Sequence, residues 1–244
     1  MRAARQSWIG VGLALSIIAA WLALHVGGVF FYRFEAWGWA PAVALIAASC
    51  WLSVGLFIVA HDCMHGSLAP GRPGLNAWIG RAALFIYAGF SFDRLRAKHF
   101  EHHRRPGTEH DPDFSAAHPT RFWPWYANFF RQYFGWRELA ILTAASAVYL
   151  LLGAPYANLL LFWALPAILS SVQLFLFGTY LPHRHAPLPF GDDHRARSND
   201  YGWLVSLLSC FHFGYHHEHH LAPHQPWWRL PSERQRRRLA ATPR

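Results

Sequence analysis

Charge is scarce in this chain: Asp, Glu, Lys and Arg together make up 14% of its 244 residues, while hydrophobic residues reach 53%. Soluble domains carry about a quarter charged residues, so this composition points to a membrane protein. Cysteine is nearly absent as well. Cys50, Cys63 and Cys210 form no CxxC pair, and neither a disulfide framework nor a thiolate zinc site is indicated. There is no repeat at solenoid spacing, no low-complexity stretch and no glycine-rich nucleotide motif. The chain therefore reads as a single domain, 1–244, that draws any electrons it uses from a separate redox protein.

Two further absences narrow the metal chemistry. None of Glu35, Glu101, Glu109, Glu138, Glu218 or Glu233 has a histidine three residues later, which excludes a carboxylate-bridged di-iron bundle. The HExxH motif is also missing, and no paired histidines lie inside the apolar blocks where a bis-histidine haem would need them.

What the chain has is apolar blocks: Trp8 to Phe31 (broken by His25), Trp39 to Ala60, Leu139 to Leu152 and Ala157 to Leu181. The second and fourth carry no charge and exceed the roughly 20 residues that cross a hydrocarbon core. The third is shorter and runs through Gly153 and Pro155 into the fourth, as one arm of a transmembrane hairpin. The first is too long for a cleaved signal peptide and lacks a small-residue cleavage site, so it is expected to stay as a membrane anchor. Ala77 to Phe92 and Trp203 to Phe213 are too short to span and are expected to be re-entrant or interfacial helices. The expected fold is an all-α integral membrane protein with about four transmembrane helices. Of the 22 Lys and Arg, only Arg33 then falls on the side holding the loops at 32–38 and 153–156, so the other side, with both termini, is expected to be cytoplasmic. The net charge of +9 and the tail "RQRRR" at 234–238 are accordingly read as contacts with anionic lipid, not nucleic acid.

Histidine is the residue in excess, 17 in all. Four clusters, "HDCMH" at 61–65, "HFEHH" at 99–103, "LPHRH" at 181–185 and "HHEHH" at 216–220, each begin near the cytoplasmic end of an apolar block. On a helix, residues three or four apart share a face. His61 thus aligns with His65, His99 with His102 and His103, and His216 with His219 and His220. Neutral imidazole suits iron, zinc, copper or nickel, and this many ligands at one boundary fit two metals at roughly four or five nitrogens each. His25 reads as a hydrogen-bonded packing residue; His110, His118, His194 and His224 as loop residues or as supports hydrogen-bonded to ligands; His212 is left unassigned; and His217 reads as pointing away from its neighbours. Asp93, Asp111, Asp113 and Glu218 lie beside the clusters and are candidates to orient imidazoles by hydrogen bonds. Asp93, six residues before His99, is the one singled out.

These motifs resemble the membrane fatty acid desaturase and hydroxylase superfamily of histidine-box di-iron enzymes, and within it the bacterial beta-carotene ketolases. The resemblance covers nearly the whole chain and is carried by "GLFIVAHDCMHGSLAPGRP", "RLRAKHFEHHRRPGTEHDPDF", "NFFRQYFGWRE", "FGTYLPHRH" and "LLSCFHFGYHHEHHLAPHQPWWRLP". It implies two Fe ions held by His61, His65, His99, His102, His103, His183, His216, His219 and His220, with His185 the alternative to His183. It further implies O2 as co-substrate, a bacterial inner-membrane location, and oxygenation at carbon 4 of a beta-ionone ring. Beta-carotene would give echinenone and canthaxanthin, and zeaxanthin would give astaxanthin if hydroxylated rings are accepted. The Arg-rich cytoplasmic face suits an acidic, ferredoxin-like reductant. A carotenoid hydroxylase or acyl-lipid desaturase of the same superfamily is the alternative. A histidine-rich metal transporter is remote, because the long blocks lack the ionisable residues of an ion path.

Overall fold

The computed structural model describes residues 2–241, which contain helices and no strand. Helix α1 (Arg2–Val26) continues through a π turn at Gly27–Phe31. Helix α2 (Trp39–His65) follows and packs against α1, α3 (Pro73–Ala88) and α7 (Tyr156–His183). Its sequence is apolar on every side, which is why it takes the central place. At 27 residues it rises about 40 Å, long enough to cross a hydrocarbon core of roughly 30 Å, and its last turns carry His61 and His65. Leu15 and Leu22 on α1 and Ile168 on α7 are exposed, consistent with helices apolar enough to cross a membrane.

Helix α2 stops at Gly66, whose φ of 68° is the left-handed conformation that favours glycine, and the Ser67 N–H returns to the Asp62 carbonyl at 2.9 Å. The chain turns there into α3. A Cβ on Gly80 of α3 would lie 2.2 Å from the Phe92 ring and 3.0 Å from Cys63, so the absence of a side chain lets α2 and α3 close on the start of α4 (Phe92–Arg104). Ser91 caps α4, accepting the Arg94 N–H at 3.4 Å.

Helices α5 (Phe122–Tyr133) and α6 (Trp136–Leu151) meet at a bend of 79°. Three helices, Ala3–Phe31, Trp39–His65 and Tyr156–His183, are individually long and apolar enough to cross a membrane, and the bent pair makes a fourth if counted as one span. The third apolar block thus corresponds to a helix that begins at Trp136 rather than Leu139 and, at 16 residues or about 24 Å, needs α5 to complete a crossing. The expected stretch Ala77 to Phe92 is likewise divided, because Gly89, at φ 68°, ends α3 and Phe92 opens α4.

Helix α7 contains π turns at Leu160–Ala164 and Leu176–Tyr180, each just ahead of a proline, Pro166 and Pro182. Proline supplies no N–H to the carbonyl four residues back, and a π turn accommodates the missing bond. The second one aims His183 at the end of the helix. Short helices α8 (Trp203–Cys210) and α9 (His216–Leu221) and the basic α10 (Leu230–Ala241) complete the described chain.

Candidate metal centre

The C-terminal ends of α2 and α7 meet α4 and α9, and there nine histidines divide into two groups. The first holds His61, His65, His99, His103 and His219; the second holds His102, His183, His216 and His220. Within each, one ring nitrogen per residue lies within 4.8 Å of all the others. Adjacent His102 and His103 separate because successive residues on a helix project about 100° apart, so α4 stands between the groups and feeds both.

Nitrogen spacing is the sharpest feature. His65 Nε2 lies 2.6 Å from His99 Nε2, and His219 Nε2 lies 3.0 Å from His103 Nε2. In the second group His220 Nε2 is 3.0 Å from His216 Nε2 and 3.2 Å from His102 Nε2. Two nitrogens about 2.1 Å from one ion at right angles lie about 3 Å apart, so these distances are those of neighbouring ligands.

Outer hydrogen bonds fix two of the tautomers. His102 Nδ1–H donates to Asp111, whose two carboxylate oxygens are both at 3.0 Å, and His183 Nδ1–H donates to the Arg195 carbonyl at 2.7 Å. Each Nε2 is then a lone pair aimed inward. His183 Nε2, both nitrogens of His61, and Nδ1 of His216 and His220 are buried with no hydrogen-bond partner. Each neutral ring carries one lone pair, and the buried, unpartnered Nε2 of His183 beside Nε2 atoms packed 2.6–3.2 Å apart is costly unless a cation joins them, so the residues fit metal binding.

Burial also keeps the rings neutral, the form that ligates. It lowers the pKa of His99, His103, His216, His219 and His220 well below the usual 6.5, with neighbouring imidazoles adding to the effect. At His102 burial is the largest single influence and acts in the same direction, but the Asp111 and Asp113 carboxylates together outweigh it and the pKa is raised.

Asp93 is not near this array. It is exposed and pairs with Arg81 at 3.1 Å on the first turn of α4, six residues and more than one turn before His99 along the helix. Sequence proximity misdirected that choice. Asp111 reaches His102 instead, because the loop after α4 folds back, its carboxylate accepting the N–H groups of Gly107 and Asp113 at 2.8 Å. His185 also stands apart, its ring 5.4 Å from Phe114. His25 stacks on Trp21 and meets the Tyr149 hydroxyl at 3.2 Å; His217 turns outward to Asp192 at 2.7 Å. Glu218 accepts from Ser198 and, at 2.9 Å, from Arg234, tying α9 to α10.

The sequence reading passed over Asp62. It is buried in the first box, accepts the Trp227 N–H at 3.0 Å and lies 3.6 Å from His61 Nδ1. Its signal was its place: an acidic residue two positions past a chargeless block, next to His61, needs a partner.

A cavity of about 360 Å³ ends on His61, His99, His102 and His216. Phe57, Phe90, Phe129 and Leu174 wall it, and along α7 its lining runs from Ala164 to Thr179, 15 residues or about 22 Å. This is a long apolar slot with a histidine array at one end.

A family model described as fatty acid desaturase matches residues 36–141 and 115–243. The chain is 50% identical over 227 residues to a beta-carotene ketolase of Paracoccus sp. (strain PC1), covering 93% of this chain and 92% of that protein. It is 53% identical over 219 residues to a beta-carotene ketolase of Paracoccus sp. (strain N81106), covering 89% of each. A zeaxanthin 4-ketolase of Chlamydomonas reinhardtii is 37% identical over 254 residues, covering 98% of this chain and 56% of that protein.

Proposed function

The chain belongs to the fatty acid desaturase family, and from that membership we propose that it is a membrane-bound beta-carotene 4-ketolase. It acts as one domain in the bacterial inner membrane, with both termini and the histidine array on the cytoplasmic side, where 21 of the 22 Lys and Arg of the chain fall by the four-crossing reading. The observation that carries the reading is the apolar slot ending on the histidines. A rod-shaped hydrocarbon entering it presents its terminal ring, and nothing else, to the array.

The two groups suit two irons, the first held by His61, His65, His99, His103 and His219 and the second by His102, His183, His216 and His220. What the irons supply when bound is activation of O2 and oxidation of an allylic ring C–H, with electrons from a ferredoxin-like donor. The protein's part is placement and dryness. Phe213 lines the slot with its ring 4.5 Å from that of His61 and 4.9 Å from that of His216, an apolar floor that brings the ring carbon to the array and keeps water out. Two oxygenations at the same carbon give a geminal diol, which loses water to the ketone. The 37% identity to a zeaxanthin 4-ketolase supports a 3-hydroxylated ring as a second substrate class.

Pigment analysis tests this in bacteria that accumulate beta-carotene, with His99→Ala as control. New echinenone and canthaxanthin, absent in the control, are expected. Zeaxanthin would instead identify a hydroxylase, and unchanged carotenoid beside iron-loaded protein would point to an acyl-lipid desaturase.

A further inference from the structure

The slot is mostly apolar, and Asp113 and Tyr133 line it side by side, Asp113 next to His102. The Tyr133 hydroxyl donates to Asp113 Oδ1. Asp113 Oδ2 lies 3.8 Å from His102 Nδ1, too far for a hydrogen bond, and Asp111 already holds that nitrogen. The aspartate is fixed by its own backbone, its N–H donating to Asp111 at 2.8 Å and its carbonyl accepting Trp125 Nε1–H at 2.8 Å. The Lys98 ammonium sits 4.8 Å from the centre of the Tyr133 ring. A second polar pair in the lining, Tyr126 and Ser171, is satisfied internally at 2.6 Å and lies eight residues, about 12 Å, further along α7 than Thr179.

A carboxylate and a phenol beside a reacting hydrocarbon ring do nothing for that ring, and keeping them there costs desolvation. A ring that has gained one hydroxyl is different. Asp113 has acceptor positions that Tyr133 does not use, and the phenol oxygen can itself accept. Resting on the ketolase reading, we infer that the Asp113–Tyr133 pair binds the once-oxygenated ring, an allylic secondary alcohol, and retains it for the second oxygenation. The alcohol O–H donates to the Asp113 carboxylate, which returns the same carbon to the array and sets whether alcohol or ketone leaves. The pair makes and breaks no covalent bond.

The test uses Tyr133→Phe and Asp113→Asn in bacteria accumulating beta-carotene. It reads three quantities: beta-carotene consumed, the ratio of 4-hydroxy to 4-keto carotenoid, and iron per purified chain. With the parent forming ketones, Tyr133→Phe is expected to keep consumption and iron within about twofold while the alcohol-to-ketone ratio rises about fivefold or more, because Asp113 loses the hydrogen bond that holds its carboxylate in place for the alcohol. Asp113→Asn, which loses the charge but keeps an acceptor, is expected to shift the ratio in the same direction. An unchanged ratio in both variants overturns the inference, whatever happens to consumption. Loss of iron or of protein in both also overturns it, because the pair would then be a support for His102. A parent chain that yields no oxygenated carotenoid fails earlier, sinking the ketolase reading itself and this inference with it.

Discussion

His102 Nδ1 lies 3.0 Å from both carboxylate oxygens of Asp111, which in turn is held by the N–H groups of Gly107 and Asp113. This bond fixes the His102 tautomer and ring orientation, and such supporting bonds are worth about 10- to 100-fold in metal affinity. Asp111→Asn is therefore expected to weaken metal binding in the second group by about that factor. Metal analysis of purified protein should show iron per chain falling, with ketone formation falling in parallel. Full iron in the variant would count against the role given to Asp111.

His183 and His185 are two residues apart but differ sharply in surroundings. His183 is buried with Nε2 unpaired among His102, His216 and His220, whereas His185 packs beside Phe114 outside the array. His183→Ala is expected to abolish ketone formation and to lower iron content, and His185→Ala to leave both within about twofold, since it removes only peripheral packing. Equal loss in the two variants would contradict the division.

Asp93 offers the opposite kind of test. Its pair with Arg81 is more than half exposed on both sides, and such pairs contribute about 0–1 kcal/mol. Asp93→Asn should leave iron content unchanged and shift the melting temperature by no more than a few degrees. A large loss of iron would return this residue to the site.

Acid should unfold the metal-free protein from the array outward. His99, His103, His216, His219 and His220 have pKa values lowered by burial beneath the 6.5 of the unfolded chain. Below pH 6.5 the unfolded state therefore binds more protons, and stability falls as pH falls through that window. His102 acts in the opposite sense, one group against five. Thermal unfolding of detergent-solubilised apoprotein at pH 7.5, 6.5 and 5.5 is expected to give a descending melting temperature; a flat or rising series would contradict the sign.

Much of this protein was legible in one dimension because its periodicities are local. Chargeless runs of more than 20 residues dictate membrane-crossing helices, since no other structure satisfies its backbone in hydrocarbon except a closed barrel. Spacings of three and four residues put His61 with His65 and His216 with His219 and His220 on common faces, whatever the helices later meet.

The partition of the histidines was decided only in three dimensions. His102 and His103 are neighbours in sequence yet belong to different groups, because α4 turns them about 100° apart and the partners on either side come from α2, α7 and α9. Asp111 rather than Asp93 supports the array because a loop returns one and the helix surface carries the other away. His183 rather than His185 joins it because the π turn before Pro182 aims the end of α7 and the chain then leaves extended at Arg184. The slot itself, with Asp113 and Tyr133 in its lining, is built from α2, α3, α4, α5, α6, α7 and α9 together. Short-range pattern determines which faces are apolar or ligand-bearing; which of them meet depends on helix packing and loop return, and those are properties of the whole chain.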